Sequence, residues 1–150
     1  MREIQNSDEL KSLIGQELAV SDWIKVEQDR INQFADATGD HQWIHLDSQR
    51  AKLESPFRST IAHGFLTLSL LPMLLQNALQ LNYVKMALNY GLNKVRFPAP
   101  VPVDSELRGR IKLLSMEDIK DGAQIVWEVT IERRGFDKPV CIAEAVTRCY

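Results

Sequence analysis

Between Gly64 and Val84 the chain carries no charged side chain. Wound as a helix, Phe65, Leu66, Leu68, Leu70, Leu71, Met73, Leu74, Leu75, Ala78 and Leu79 cover nearly the whole circumference, so the helix has no face to offer water. The remainder of the chain must surround it. The stretch is long enough to suggest a membrane span. However, Pro72, Gln76, Asn77, Gln80 and Asn82 would then lie in hydrocarbon, and a buried helix of a water-soluble protein fits better. Pro72 should kink the helix or limit its first part.

The segments on either side supply a cover. Residues 8–14 are expected to form a short helix and 17–24 a strand. A second helix is expected over 27–38, with Ile31, Phe34, Ala35 and Thr38 at helical spacing and Gly39 just past its end. A further short helix over 47–53 would be capped by Asp47 or Ser48. After Val84 the pattern changes to period two. Strands are expected over 85–97, 106–114, 125–132 and 140–148, with Ile125, Trp127, Val129 and Ile131 on one face of the third. Asp121-Gly122 reads as a hairpin turn between two of them. Pro98, Pro100 and Pro102 form an extended break that no central strand accepts. No repeat or linker divides the 150 residues, so one α+β domain over 1–150 is expected, a sheet curled around one apolar helix.

The formal net charge is −2 with no basic run, which argues against nucleic acid as a partner. Only two cysteines occur, Cys141 and Cys149. They have neither metal spacing nor the density of a secreted scaffold, and the N-terminus has no apolar signal segment, so a cytoplasmic location is expected.

Two short stretches carry the chemistry. Asp40 stands five residues before His45, just past the helix end, and a carboxylate and an imidazole together can activate one water molecule. Gly64 starts the apolar helix, where the first N–H groups lack internal partners and favour negative charge. An acid, a base and free N–H groups are the parts needed to add water to an activated double bond or to remove it. The alternative is that Asp40 turns the chain, His45 is a loop histidine and Gly64 a turn glycine. His41 and His45 have the spacing of a zinc-protease helix, but Gln42 occupies the position of the general-base glutamate, so no metal is expected.

Residues 34–45, Phe-Ala-Asp-Ala-Thr-Gly-Asp-His-Gln-Trp-Ile-His, resemble the hydratase-2 motif of MaoC-like dehydratases, the (R)-specific enoyl-CoA hydratases. Residues 61–66, Ile-Ala-His-Gly-Phe-Leu, resemble that family's helix start. Residues 89–98, Asn-Tyr-Gly-Leu-Asn-Lys-Val-Arg-Phe-Pro, resemble the long strand of the subgroup similar to nodulation protein N. The motif usually has Asn-Pro where this chain has Gln42-Trp43, a departure the subgroup shares. The resemblance implies a hot-dog fold, an antiparallel sheet wrapped around a central helix, and a homodimer. It also implies catalytic roles for Asp40 and His45, which activate water, and for the Gly64 N–H, which binds the thioester oxygen. Trp43, His63, Phe65, Tyr90, Asn93 and Arg96 are the candidate substrate-binding residues.

The expected activity is reversible hydration of a trans-2-enoyl-CoA to an (R)-3-hydroxyacyl-CoA, a lyase reaction of fatty-acid metabolism. It needs no cofactor, since coenzyme A belongs to the substrate, and no membrane partner. A hot-dog acyl-CoA thioesterase and a non-catalytic acyl-thioester binding module are the alternatives.

Overall fold

The computed structural model describes all 150 residues. In chain order the elements are β1 (Arg2–Ile4), α1 (Ser7–Ser12), β2 (Glu17–Val20), β3 (Ile24–Val26), α2 (Gln28–Thr38), α3 (Trp43–Leu46), α4 (Ser48–Glu54), α5 (Gly64–Ser69), α6 (Leu71–Ala78), β4 (Leu79–Leu81), β5 (Ala87–Arg96), β6 (Ser105–Ile119), β7 (Gly122–Arg133) and β8 (Cys141–Cys149). Strands run in the order β2-β6-β7-β8-β5, all antiparallel, with β3 also paired to β6. The fold is the expected α+β arrangement.

Period-two sequences made the sheet legible. In β7, Ile125, Trp127, Val129 and Ile131 are all buried against the helices while Glu128, Thr130 and Glu132 are only partly covered. Each buried aliphatic or aromatic side chain of this kind contributes about 1.5–3 kcal/mol. The hairpin between β6 and β7 turns through Lys120 and Asp121, one residue earlier than Asp121-Gly122, and Asp121 takes the left-handed backbone, φ 62°.

The apolar segment is two helices. The first ends at Leu70, and Pro72 sits in the opening turn of the second, where a missing N–H costs nothing. Leu79 leaves the helix and opens β4, which pairs in parallel with β1. The expected strand over 17–24 is likewise two strands. Ser21 breaks it, because the Ser21 N–H donates to the Gly109 carbonyl while its hydroxyl accepts from the Gly109 N–H.

Burial on all sides is not what a single chain provides. Leu66, Leu70, Leu71, Leu74 and Ala78 are buried, but Phe65 is 69% exposed and Leu68, Pro72 and Leu75 are half-buried. One sheet covers one side of a helix pair. The other side faces a groove of about 360 Å³ beside β5, bounded by Leu68, Pro72, Tyr90 and Leu92. No helix is long and apolar enough to cross a membrane.

Candidate active site

Helix α2 buries Ile31 and Ala35 and stops at Gly39, whose left-handed backbone (φ 80°, ψ 5°) suits a residue without Cβ. The chain thereby turns, and exposed Asp40 begins a loop leading into α3. That short helix carries His45 inward to 6% exposure. Asp47 ends α3 and caps α4, accepting from the Arg50 N–H at 2.9 Å, a cap worth about 1 kcal/mol.

Two hydrogen bonds, each backed by a further one, fix His45. Its Nδ1–H donates to the Ile61 carbonyl at 2.7 Å. A carbonyl only accepts, so the proton lies on Nδ1 and Nε2 keeps a lone pair. The Ile61 N–H in turn donates to the Ile44 carbonyl at 3.1 Å. The Gln28 amide donates to the His45 carbonyl at 2.8 Å and accepts from the Thr60 hydroxyl at 2.6 Å. Gln28 and Thr60 carry no motif, and sequence reasoning missed them. Burial pushes the imidazole below its ordinary value and the neighbouring His63 pushes the same way; the Ile61 hydrogen bond and the Asp40 charge oppose this only in part.

A carboxylate oxygen of Asp40 and a ring nitrogen each of His45 and His63 lie within 4.8 Å of one another. The two imidazoles stack, with centroids 3.8 Å apart and planes 23° apart. Lone pairs lie in the ring planes, and planes so nearly parallel do not converge at the roughly 2 Å bonding distance of a metal. The arrangement suits proton handling better than ligation. His41 is not part of it. It precedes α3, so no helix aligns it with His45, and its Nε2 pairs with Asp36 at 2.9 Å, which holds its ring above the ordinary value.

Gly64 opens α5 and shares with His45 a cavity of about 380 Å³, lined also by Phe57, Ile61, Phe97 and the 98–101 segment. A Cβ on Gly64 would lie 3.1–3.2 Å from three atoms of the Phe97 ring, so any side chain there would require that ring to move. Phe57 and Phe97 come from distant parts of the chain, and nothing local in the sequence marks them as lining one space. A larger cavity, about 540 Å³, lies between α6, β4 and the start of β5 and touches none of Asp40, His45 and Gly64.

The other candidates divide. Phe65 meets Phe97 edge-on at 6.3 Å but is largely exposed. Trp43 lies under the Arg50 guanidinium at 4.2 Å and does not line the cavity. Tyr90, 58% exposed beneath Arg148, lies on β5, as do Asn93 and Arg96, and none of the three lines the cavity that holds His45. The β5–β8 register shifts at Tyr90 and again at Asn93. His63 is 2% exposed and donates to the Asp40 backbone carbonyl at 3.0 Å. Unlike His45, His63 does not line the cavity. The cysteines are buried, and burial pushes both thiols up to about 11, which leaves no nucleophilic thiolate near neutrality.

Residues 9–135 match the MaoC-like domain. The chain belongs to the MaoC-like family. Across 99% of this chain and 98% of the relative, the MaoC-like protein is 48% identical to 3-hydroxyacyl-thioester dehydratase Z of Mycobacterium tuberculosis. It is 45% identical to nodulation protein N of Rhizobium leguminosarum bv. viciae, over 98% and 92% of the two chains. Its fold is similar to that of the (R)-hydratase from A. caviae involved in PHA biosynthesis, with TM-score 0.72, 24% identity and coverage of 89% and 94%. The R-hydratase PhaJ1 of Pseudomonas aeruginosa gives TM-score 0.70 at 23% identity over 91% and 81%. The hot-dog architecture expected from the sequence is thereby shown.

Proposed function

We propose that this MaoC-like protein adds water reversibly to a trans-2-enoyl thioester of coenzyme A, giving the (R)-3-hydroxyacyl thioester. One observation carries the reading: His45, with a lone pair on Nε2, and Gly64, at a helix start, line the same cavity, and Asp40 lies beside His45. The acyl group occupies that cavity with its carbonyl oxygen toward the Gly64 N–H. Unpaired N–H groups of a helix start stabilise the enolate oxygen as C3 is attacked. Asp40 and His45 hold one water, whose hydroxide goes to C3 and whose proton returns to C2. Because one water serves both carbons, addition is syn. The step requires no electron transfer, and coenzyme A leaves with the product.

The exposed edge of β5 supports a homodimer. Leu88, Tyr90 and Leu92 are 48%, 58% and 44% exposed along one edge strand, beside half-buried Leu68 and Pro72. An unpaired apolar strand edge invites another strand, and two-fold pairing with a second copy would cover it and the open side of α5 and α6. Tyr90, Asn93 and Arg96 would then act from the interface. A soluble, cytoplasmic protein fits this reading.

Hydration of crotonyl-CoA by the purified protein, followed by loss of the conjugated thioester's ultraviolet absorbance, tests the reaction. Asp40→Asn and His45→Gln should each lower kcat by about a hundredfold or more with the fold intact. Full activity in both would remove them from the chemistry. A thioesterase would instead release free thiol.

A further inference from the structure

His63 is the buried titratable group to which the mechanism above assigns no task. It is 2% exposed, yet it is not a simple packing residue. Its Nε2–H donates to the Asp40 backbone carbonyl at 3.0 Å, tying the loop after α2 to the residue that caps α5. Its ring fills the space between Phe34, at 4.9 Å, and His45, at 3.8 Å. Its Nδ1 is buried without a hydrogen-bond partner. A leucine of similar bulk would fill the same space without burying an unpaired ring nitrogen, which folds avoid, but it would give up the donor to the Asp40 carbonyl. The imidazole therefore brings something that packing alone does not require.

We infer that His63 is a positioning residue, which sets the Asp40 carboxylate against His45 by holding the Asp40 backbone with Nε2–H and the His45 ring plane with its own face. Asp40 is exposed and starts a loop just outside α2, and its side chain accepts only a long 3.3 Å bond from the Gln42 N–H. His45 is held at Nδ1, which fixes a point on the ring; the stacked His63 fixes its tilt. One side chain thus links the acid, the base and the helix start that carries Gly64. Proton transfer is sensitive to such geometry, since a displacement of about 1 Å can cost roughly a hundredfold.

The inference rests on the proposed roles of Asp40 and His45, and the test separates the two. His63→Leu keeps the bulk and loses the donor. His63→Gln keeps an N–H near the Nε2 position. His63→Leu should lower kcat by about ten- to a hundredfold with KM changed less than about threefold, and His63→Gln should recover most of that loss. A raised KM with unchanged kcat would favour direct substrate contact and overturn the inference. Equal loss in both variants, or full activity in His63→Leu, would overturn it too. An activity-independent arm uses nitrogen NMR of labelled histidines in the parent protein, where His63 should carry its proton on Nε2 and His45 on Nδ1. A proton on Nδ1 of His63 instead would remove the donor whatever the rate data say. If the tautomers are as stated while Asp40→Asn keeps full activity, the proposed chemistry fails for Asp40, and the positioning role fails with it.

Discussion

Gly64→Ala separates catalysis from folding more cleanly than any change to a charged residue. The added methyl would lie 3.1 Å from Cδ2 of Phe97 and 3.2 Å from two further ring atoms, against an optimum of about 3.5–4.0 Å for carbon pairs. The ring must give by a few tenths of an ångström. It can, because Phe97 is 40% exposed on the cavity wall, so overpacking costs less than the roughly 1–3 kcal/mol of a sealed core. Alanine also gains up to about 1 kcal/mol over glycine in a helix. The two nearly cancel, and the melting temperature should shift by only a few degrees. Activity has no such compensation. The methyl and the displaced ring would occupy the place where the proposed reaction brings the carbonyl to the Gly64 N–H. Loss of a whole oxyanion donor costs about 2.7–4 kcal/mol. A donor that is retained but crowded should cost less, and a fall in kcat/KM of about ten- to a hundredfold, or 1.4–2.8 kcal/mol, is expected. Steady-state hydration of crotonyl-CoA and thermal denaturation of the same preparation decide it. Unchanged kcat/KM at unchanged stability would refute the reasoning, and so would a collapse of stability, which would explain the glycine by packing alone.

The buried His45 predicts a sign for pH. Its pKa is lowered in the fold, so its contribution to stability is present above the unfolded value of about 6.5 and is lost as pH falls through the folded value. Unfolding titrations between pH 5 and 7 should show stability rising with pH, and His45→Gln should flatten that rise. The acid limb of kcat/KM should likewise fall below about 6.5, and an inflection well above it would contradict the burial argument. Leu88→Glu combined with Leu92→Glu on β5 should turn the proposed dimer into a monomer in sedimentation, since like charges would face each other across a two-fold edge. A parent protein that is already monomeric, or a double variant that stays dimeric, would remove β5 as the contact.

Features set by neighbouring residues were legible in the sequence. Gly39 ends α2 because the left-handed cap is a local demand, and β7 declares itself because one face of it is wholly buried. The spacing of Asp40, His45 and Gly64 pointed to the cavity, although Asp40 itself remains at the surface. Features set by distant partners were not legible. The break at Ser21 depends on Gly109. The split of the apolar segment was half visible, since Pro72 fits either a kink or an opening turn. Leu79 reads as helix until β1 offers it a partner. Nothing in the 61–66 stretch says that His63 faces the backbone of Asp40 rather than a ligand.

The segment from Pro98 to Pro102 forms a wall of the cavity, with Ala99 and Val101 tucked inward and Pro102 bridged to Ile61. Its prolines have little torsional freedom to surrender, in the denatured chain or on docking. In the proposed reaction, substrate would meet a surface already in its final shape, and the attraction between them would not be consumed in ordering that wall. Progress curves should begin without a lag, because this wall has no ordering step to complete before turnover.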